Sequence, residues 1–194
     1  MSTNIEIEVK TLITEANYRQ VLEFYKNETM TPIEQINYYI DTKDAALKKH
    51  EISLRIRRLN GFVMTLKTPL SEGLLEKSQL ISEKEFKNFI ENNTFPNGTI
   101  SEFIERLYIE PSTLTPLAEL KTTRINVPYD GYILSIDRNE YANEVDYELE
   151  MEGPSVEKAR AFLEEVCKKV DVIFTENKVS KQKRALLAYR KLKE

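Results

Sequence analysis

The sequence predicts an α+β fold, in which antiparallel strands present one charged face and one aliphatic face, and helices cover the aliphatic face. The first observation is that charged and aliphatic residues alternate in most segments rich in β-favouring residues, because successive side chains of a strand point to opposite faces. The second is that Ser or Thr precedes several segments whose apolar residues recur at helical spacing, which is typical of capped amphipathic helices.

The expected elements follow these patterns along the whole chain. Strands are expected at residues 5–12, 33–41, 52–59, 62–68, 117–127, 132–139, 145–152 and 172–175. Helices are expected at residues 15–26, 83–92, 102–107, 156–169 and 181–191, with Thr14, Ser82 and Ser155 as N-caps, and a short turn or helix at residues 44–48. Mainly antiparallel neighbours favour a closed barrel without exposed edges, with helices outside and charged faces inside.

Two strands that lie far apart in the sequence are acidic. Glu6, Glu8 and Lys10 alternate with aliphatic residues near the N-terminus, and the later strand carries Glu148 and Glu150 at the same spacing. If these strands are neighbours, their carboxylates surround one point, where they stay ionised at low cost only beside cations. Oxygen ligands favour hard divalent ions such as Mg²⁺, Mn²⁺ or Ca²⁺. The alternative interpretation is the ordinary solvated face of an antiparallel sheet.

Other strands carry bases in place of acids. A hairpin around Gly61 joins the strand of Arg55 and Arg57 to the strand of Lys67. A two-residue loop would put Lys67 on the face opposite the two arginines. We therefore predict a three-residue loop, residues 59–61, with Gly61 in the left-handed conformation forming a bulge.

A second hairpin sets the position of a further arginine. If residues 130–131 form a two-residue turn, Arg124 lies directly across from Asp137. The same parity puts Glu119 and Lys121 on the other face, unless a bulge intervenes.

Composition limits the class of protein. The 194 residues suit a single domain, residues 1–194, and the hydrophobic fraction of 41% is typical of globular proteins. A net charge of −4 does not favour nucleic acid, and no apolar run approaches membrane-spanning length. The absence of a signal-peptide pattern leads us to expect a cytoplasmic protein. Cys167 and His50 are each the only residue of their type, which argues against thiolate or histidine zinc sites and Ser-His catalysis.

The ordered set of charged segments resembles the CYTH family, also called triphosphate tunnel metalloenzymes. The N-terminal Glu6-x-Glu8-x-Lys10 resembles the family signature, and later segments follow in the family's order: Tyr38-Tyr39-Ile40-Asp41-Thr42, Leu54-Arg55-Ile56-Arg57, Thr65-Leu66-Lys67-Thr68-Pro69, Glu76, Arg124, Asp137, Glu148-x-Glu150, Lys178 and Lys181. The resemblance covers nearly the whole chain. It implies a closed antiparallel barrel of about eight strands, whose lumen binds triphosphate compounds with a divalent metal.

The resemblance and the charge pattern together assign roles to individual residues. The expected ligands of Mg²⁺ or Mn²⁺ are Glu6, Glu8, Asp137, Glu148 and Glu150. The expected catalytic groups are Glu6, Glu8, Lys10 and Asp137, and the expected substrate contacts are Arg55, Arg57, Lys67, Glu76, Arg124 and Lys181. Lys10 either orients the neighbouring glutamates or contacts phosphate, and we expect Lys181 rather than Lys178 to reach the lumen.

The leading functional hypothesis is a hydrolase that releases phosphate from a small-molecule triphosphate, with inorganic triphosphate favoured. Within the enzymes, the alternatives are thiamine triphosphate hydrolysis and adenylate cyclase activity, both known in the family that the chain resembles. An alternative of another class is a module that binds polyphosphate or a nucleotide without turnover. A homodimer is left open, and neither a nucleic acid nor a membrane is expected as a partner.

Overall fold

The computed structural model describes residues 2–28 and 31–192, and this part of the chain contains nine strands in one antiparallel sheet. The strands are β1 (Ser2–Glu6), β2 (Glu8–Ile13), β3 (Ile33–Asp41), β4 (Ser53–Leu59), β5 (Gly61–Pro69), β6 (Leu74–Ile81), β7 (Thr115–Tyr129), β8 (Tyr132–Tyr141) and β9 (Glu144–Glu152). Their order in the sheet is β1-β6-β5-β4-β3-β7-β8-β9-β2.

The described ranges contain six α-helices, four between strands and two after β9. They are α1 (Glu15–Phe24), α2 (Ala46–Lys49), α3 (Glu83–Asn92), α4 (Thr99–Glu105), α5 (Val156–Lys169) and α6 (Lys181–Lys191). The predicted N-caps are confirmed, because the side chains of Thr14, Ser82 and Ser155 each accept a backbone N–H bond three residues on. None of these helices is both long enough and apolar enough to span a membrane.

The two edge strands of the sheet follow one another in the chain. β1 pairs with β6 and β2 pairs with β9, and only Ile7 lies between them. The carbonyl of Ile7 accepts an N–H bond of 3.1 Å from Gly153. Gly73, at φ 76°, approaches so closely that a Cβ there would lie 2.5 Å from the carbonyl oxygen of Glu6. The predicted continuous strand is therefore wrong at Ile7, where the chain passes from one partner strand to the other.

The first predicted hairpin has the expected parity. Ser53 lies opposite Lys67, so Arg55 shares the face of Lys67. The positive φ angles are 33° at Asn60 and 139° at Gly61. The predicted three-residue register is thus confirmed. Both Asn60 and Gly61 have positive φ angles, so positive φ is not confined to Gly61.

The second predicted hairpin is confirmed in full. Asp130 and Gly131 have φ angles of 46° and 75°, as a tight two-residue turn between twisted strands requires. Arg124 consequently lies directly opposite Asp137 in the sheet.

Three elements differ from the prediction. β6 was not expected, because residues 74–81 carry polar groups on both faces, and they are held as a strand by their neighbours β1 and β5. Residues 172–175 form no strand; the nearby pairing is a single bridge between Thr11 and Glu176. The helix expected at residues 102–107 begins earlier, at Thr99.

The aliphatic faces of the strands pack against the helices in two main clusters. In one, α1 and α5 cover β8 and β9, where Val21, Leu163, Ile136 and Leu149 are fully buried. The other brings α3 and α4 onto the middle strands, and its fully buried members include Phe89, Ile104, Leu54, Ile56 and Met64. Each such side chain contributes about 1.5–3 kcal/mol of transfer free energy. This packing leaves the charged strand faces on the side away from the helices of both clusters.

Candidate active site

The charged faces of the strands line one cavity of about 270 Å³. Its lining contains six cationic and four acidic side chains: Lys10, Arg55, Arg57, Lys67, Arg124 and Lys181 with Glu6, Glu8, Glu150 and Glu152. The other lining residues are Gln35, Asn37, Tyr39, Ser53, Leu74, Thr122, Ser180 and Gln182. Residues from β1 and β2, at opposite edges of the sheet order, therefore meet at one cavity.

Most of the residues selected from the sequence lie on this lining. The exceptions are Asp137, Glu148 and Glu76. Asp137 and Glu148 are fully buried behind the lining, where other side chains occupy their carboxylates. Glu76 lies next to the cavity and accepts a hydrogen bond of 3.3 Å from Arg55.

One side of the cavity is a buried ion-pair cluster, which we call the acidic network. It consists of Asp137, Glu148 and Glu150 with the cations Arg124, Lys181 and Arg184. Arg124 donates two bonds to Asp137, at 2.7 Å from Nε and 2.6 Å from Nη2, and also contacts Glu150. Burial alone would lower the pKa of Arg124, but Glu150 and Asp137 raise it well above its ordinary value.

Lys181, at the start of α6, reaches all three carboxylates of the acidic network. Its Nζ lies 2.9 Å from Asp137 and 2.7 Å from Glu148, and it also contacts Glu150. Burial would raise the pKa of Glu150, yet Lys181 and Arg124 hold it well below its ordinary value. This carboxyl is therefore ionised at neutral pH without any ligand.

Arg184 is a member of the network that was not expected from the sequence. Its two terminal nitrogens each lie 3.0 Å from a different oxygen of Glu148, and its Nε donates to Asp146 at 2.7 Å. Asn177 also donates to Glu148, at 2.8 Å. A basic C-terminal helix is usually solvated, but the i, i+3 spacing from Lys181 places Arg184 on the same helix face, and that spacing is the signal that identifies it.

The opposite side of the cavity carries cations with few partners, and we call Arg55, Arg57 and Lys67 the basic ladder. Arg57 donates 3.2 Å to the side-chain oxygen of Asn37. No carboxylate of the described residues lies within 4.0 Å of it. Burial, and then the charges of Arg55 and Arg124, lower the pKa of Arg57 to about 10.

The other two members of the basic ladder are also incompletely neutralised. The Nε of Arg55 is buried and has no hydrogen-bond partner among the residues that the structure describes. Lys67 contacts Glu6. Burial and the neighbouring Arg55 nevertheless lower the pKa of Lys67. The ladder is thus a set of buried positive charges that lacks sufficient negative charge.

The carboxylates of the lining fit a hard divalent ion in their chemistry. Burial, and then the charges of Glu6 and Glu8, raise the pKa of Glu152, as expected where carboxylates crowd together. Within residues 2–28 and 31–192, no three metal-ligating side chains already converge on one point. In the structure, Lys67 contacts Glu6 and Lys10 contacts Glu8. An ion would have to displace these lysines.

Of the remaining basic candidates, one lines the cavity and two lie on the outer surface. Lys121 pairs with Glu34 at 3.3 Å on the outer surface and is not part of the cavity lining. This agrees with the parity predicted from Arg124. Lys181 lines the cavity, whereas Lys178 is exposed and does not.

Comparison with known proteins gives a consistent set of relatives. The CYTH domain family matches residues 4–184. YjbK of Bacillus subtilis strain 168, a candidate triphosphatase, is 31% identical over 180 residues, which are 92% of this chain and 93% of that protein. The crystal structure of a candidate adenylate cyclase from Bacillus halodurans is 35% identical with a TM-score of 0.81, covering 92% of this chain and 97% of that one. HpAC1 from Hippeastrum, a candidate adenylyl cyclase described as having a dominant triphosphatase activity, is 21% identical with a TM-score of 0.79 over 96% of both chains; this likeness concerns the fold alone.

Proposed function

This chain belongs to the CYTH domain family, and from that premise we propose that it is a metal-dependent hydrolase of triphosphate compounds, with inorganic triphosphate as its preferred substrate. The observation that carries the proposal is the incompletely neutralised basic ladder, in which Arg57 has an amide but no carboxylate partner among the described residues. A buried cation without a counterion is costly, and Arg57 is crowded by Arg55 and Arg124. A chain of phosphates supplies the missing negative charge.

The proposal includes closure of the sheet into a barrel around this cavity. Its support is that the two edge strands, β1 and β2, are consecutive and are separated only by Ile7, whose carbonyl bonds to Gly153 beyond β9. Charged residues of β1, β2, β4, β5, β7 and β9 also line the same cavity. Closure would leave no exposed edge strand.

The polarity of the cavity favours a bare triphosphate over one with an organic group. Tyr39 and Leu74 are the only aromatic and aliphatic side chains among the described lining residues. Neither forms a slot of two facing apolar surfaces with the other lining residues, which are polar or charged. A base or thiazolium ring would therefore find little apolar surface inside this cavity.

The chain's own residues would divide the work of phosphoryl transfer, which mainly needs positioning and charge stabilisation. Arg55 and Arg57 would bind phosphate oxygens in the bidentate manner of guanidinium groups. Glu6, Glu8 and Glu150 would hold Mg²⁺ or Mn²⁺, which neutralises charge on the phosphate oxygens when bound.

The lysines of the lining would contact the phosphates, and a remaining carboxylate would act as the general base. Lys10 and Lys67, released from Glu8 and Glu6, would turn towards phosphate. A lining carboxylate that is not a metal ligand would accept the proton of the attacking water.

The test is a phosphate-release assay with tripolyphosphate, thiamine triphosphate, ATP and long-chain polyphosphate, each with Mg²⁺, Mn²⁺ or excess chelator. We expect the highest kcat/KM for tripolyphosphate and no turnover with chelator. Conversion of ATP to a cyclic nucleotide and pyrophosphate would identify a cyclase instead. Tight binding of tripolyphosphate without any turnover, under all metal conditions, would identify a binding module.

A further inference from the structure

A second cavity lies beside the first, between α2 and α6. Its volume is about 230 Å³. It is bounded by residues from α2 and its flanks, from the start of β4, from β7 and from α6: Asp41, Ala45, Lys48, Glu51, Ile52, Ser53, Leu117, Ser180, Gln182, Lys183, Leu186, Leu187 and Arg190. The proposed hydrolase reaction does not use this cavity.

The floor of the second cavity is aliphatic. Ile52 just before β4, Leu117 of β7, and Leu186 and Leu187 of α6 border the same space. Leu187 is 47% exposed, whereas Ala185 and Ala188 of the same helix are buried. An apolar surface of this kind favours the apolar body of a ligand, in contrast to the ionic lining of the first cavity.

The rim of the second cavity is cationic. Lys48, Lys183 and Arg190 lie on it, and no carboxylate of the described residues approaches any of the three within 4.0 Å. Glu51 is the only acidic rim residue in the described chain that has a free carboxylate. Asp41 also borders the cavity, but its carboxylate accepts backbone N–H bonds from α2, at 2.8 Å from Leu47 and 3.1 Å from Lys48. The rim therefore favours an anionic group.

The wall formed by α2 is held in an unusual backbone conformation. Ala45 and Glu51, which flank the four-residue helix, have φ angles of 60° and 58°. Non-glycine residues in this region cost free energy, and such strain persists only where the surroundings maintain it. Here the bonds from α2 to Asp41 fix the start of the helix, and backbone bonds of 3.0 Å from Glu51 and Ile52 to α2 close the turn at its end. The wall is therefore preformed.

The residues between the two cavities are joined by a hydrogen bond. The hydroxyl of Ser53 donates to the side-chain oxygen of Gln182, and both residues, with Ser180, border both cavities. A ligand in the second cavity is thus next to the phosphate cavity but does not occupy it.

We infer that the cavity between α2 and α6 is a second binding site, for a small amphipathic anion. The ligand class has a short aliphatic or flat aromatic body, which contacts the floor, and a carboxylate, sulfonate or phosphate group, which contacts Lys48, Lys183 and Arg190. The volume excludes large ligands from complete burial, since drug-sized pockets usually begin at about 300 Å³. The inference does not depend on catalysis in the first cavity.

The test is a fluorescence titration of the full chain with anilinonaphthalene sulfonate, an aromatic anion, confirmed by calorimetry for stoichiometry. We expect one molecule per chain and weaker binding of the uncharged analogue phenylnaphthylamine. Saturating tripolyphosphate should leave the titration unchanged. Absence of binding, equal binding of the uncharged analogue, or complete displacement by tripolyphosphate would each overturn the inference.

Two variants with matched controls locate the site. Leu187→Glu should weaken binding by at least about tenfold, because it puts a charge on the apolar floor. Ile90→Glu on α3 is its control, since Ile90 is 44% exposed against 47% for Leu187. Lys183→Glu should weaken binding by about three- to tenfold by reversing a rim charge. Lys158→Glu is its control, because both lysines are the third residue after a serine N-cap and both are exposed.

Both controls should bind the probe within about twofold of the unmodified protein, as expected for surface changes away from the site. The folded state of each variant is checked by its thermal unfolding. Equal loss of binding in a variant and its control would overturn the assignment of the probe to this cavity.

Discussion

The acidic network and the basic ladder lie on opposite sides of one cavity, and they differ in how far their charges are neutralised by neighbouring residues. In the network, Glu148 and Glu150 contact cations from two distant segments, β7 and α6, and burial strengthens those contacts. In the ladder, Arg57 has a single amide acceptor, and its pKa is lowered to about 10. The carboxylates of the network contact several cations of the fold, whereas Arg57 of the ladder contacts no carboxylate of the described residues.

This difference separates stability from binding. A change in the network removes a partner from a buried ion pair, which is costly because the remaining charge cannot be solvated. A change in the ladder removes a charge that already repels its neighbours. The two sides should therefore respond in different measurements: the network in the free energy of unfolding, and the ladder in the affinity for a phosphate chain.

The largest effect is expected in the acidic network. Glu148→Gln should lower the free energy of unfolding by about 3–5 kcal/mol, because Arg184 and Lys181 would lose their shared counterion in a buried position. Chemical denaturation measures this directly. Glu144→Gln, on the same strand but 51% exposed and 4.0 Å from Lys191, is the control and should change stability by less than about 0.5 kcal/mol. A Glu148→Gln protein of normal stability but no activity would assign Glu148 to the chemistry instead.

The second prediction concerns a ligand that contacts both the basic ladder and the carboxylates of the cavity. Tripolyphosphate with Mg²⁺ at a hundredfold excess over its dissociation constant should stabilise the fold by about 2.7 kcal/mol, because it binds only the folded state. Thermal unfolding should show a smaller shift with Mg²⁺ alone, which neutralises only carboxylates. Orthophosphate should give the smallest shift, because it does not extend along the ladder. Equal shifts for orthophosphate and tripolyphosphate would argue against a site for a phosphate chain.

The third prediction concerns the ladder by itself. Arg57→Ala should weaken binding of tripolyphosphate by about 1.5–3 kcal/mol, which is the usual value of a charge-assisted hydrogen bond. Its melting temperature without ligand should stay the same or rise, because repulsion from Arg55 and Arg124 is relieved. Calorimetric titration and thermal unfolding measure the two quantities.

The adjacent residue provides the matched control for this variant. Arg58 is exposed and points to the other face of β4. Arg58→Ala should leave the affinity unchanged. A loss of affinity equal to that of Arg57→Ala would mean that general surface charge, not the ladder, binds the phosphates.

The smallest effect is expected at Lys121, which lies outside both regions. Its ion pair with Glu34 is exposed, and such pairs contribute about 0.2–1 kcal/mol. Lys121→Gln should therefore change stability by no more than that and leave the dissociation constant for tripolyphosphate within about twofold. Arg124→Gln, which removes a lining cation, is the comparison and should change both. A strong loss of affinity in Lys121→Gln would contradict the assignment of Lys121 to the outer face.

Much of the arrangement of faces is predictable from local sequence. The period of two places Glu6, Glu8 and Lys10 on one face even though the strand is interrupted at Ile7. Turn chemistry sets the parity of Arg55 relative to Lys67 and of Arg124 relative to Asp137. These features depend on a few consecutive residues, because side-chain direction and turn conformation are local properties.

Other elements could not be predicted locally. β6 has no clear alternation, and it is a strand because β1 and β5 provide hydrogen-bond partners on both sides. The interruption at Ile7 depends on Gly153 and Gly73, which are distant in sequence. In both cases the conformation follows from pairing with remote strands, which leaves no local pattern.

The sequence by itself thus determined the family, the strand faces and the charges that each face carries. Apart from Arg124 and Asp137, which the hairpin register places opposite one another, the partners of the buried charges follow only from the tertiary structure. Arg184 reaches Glu148 from 36 residues away and engages both of its carboxylate oxygens, whereas Arg57 is left with an amide. The physical reason is that ion pairing depends on distance and burial in three dimensions, and the sequence specifies these only through the packing of segments that are far apart along the chain.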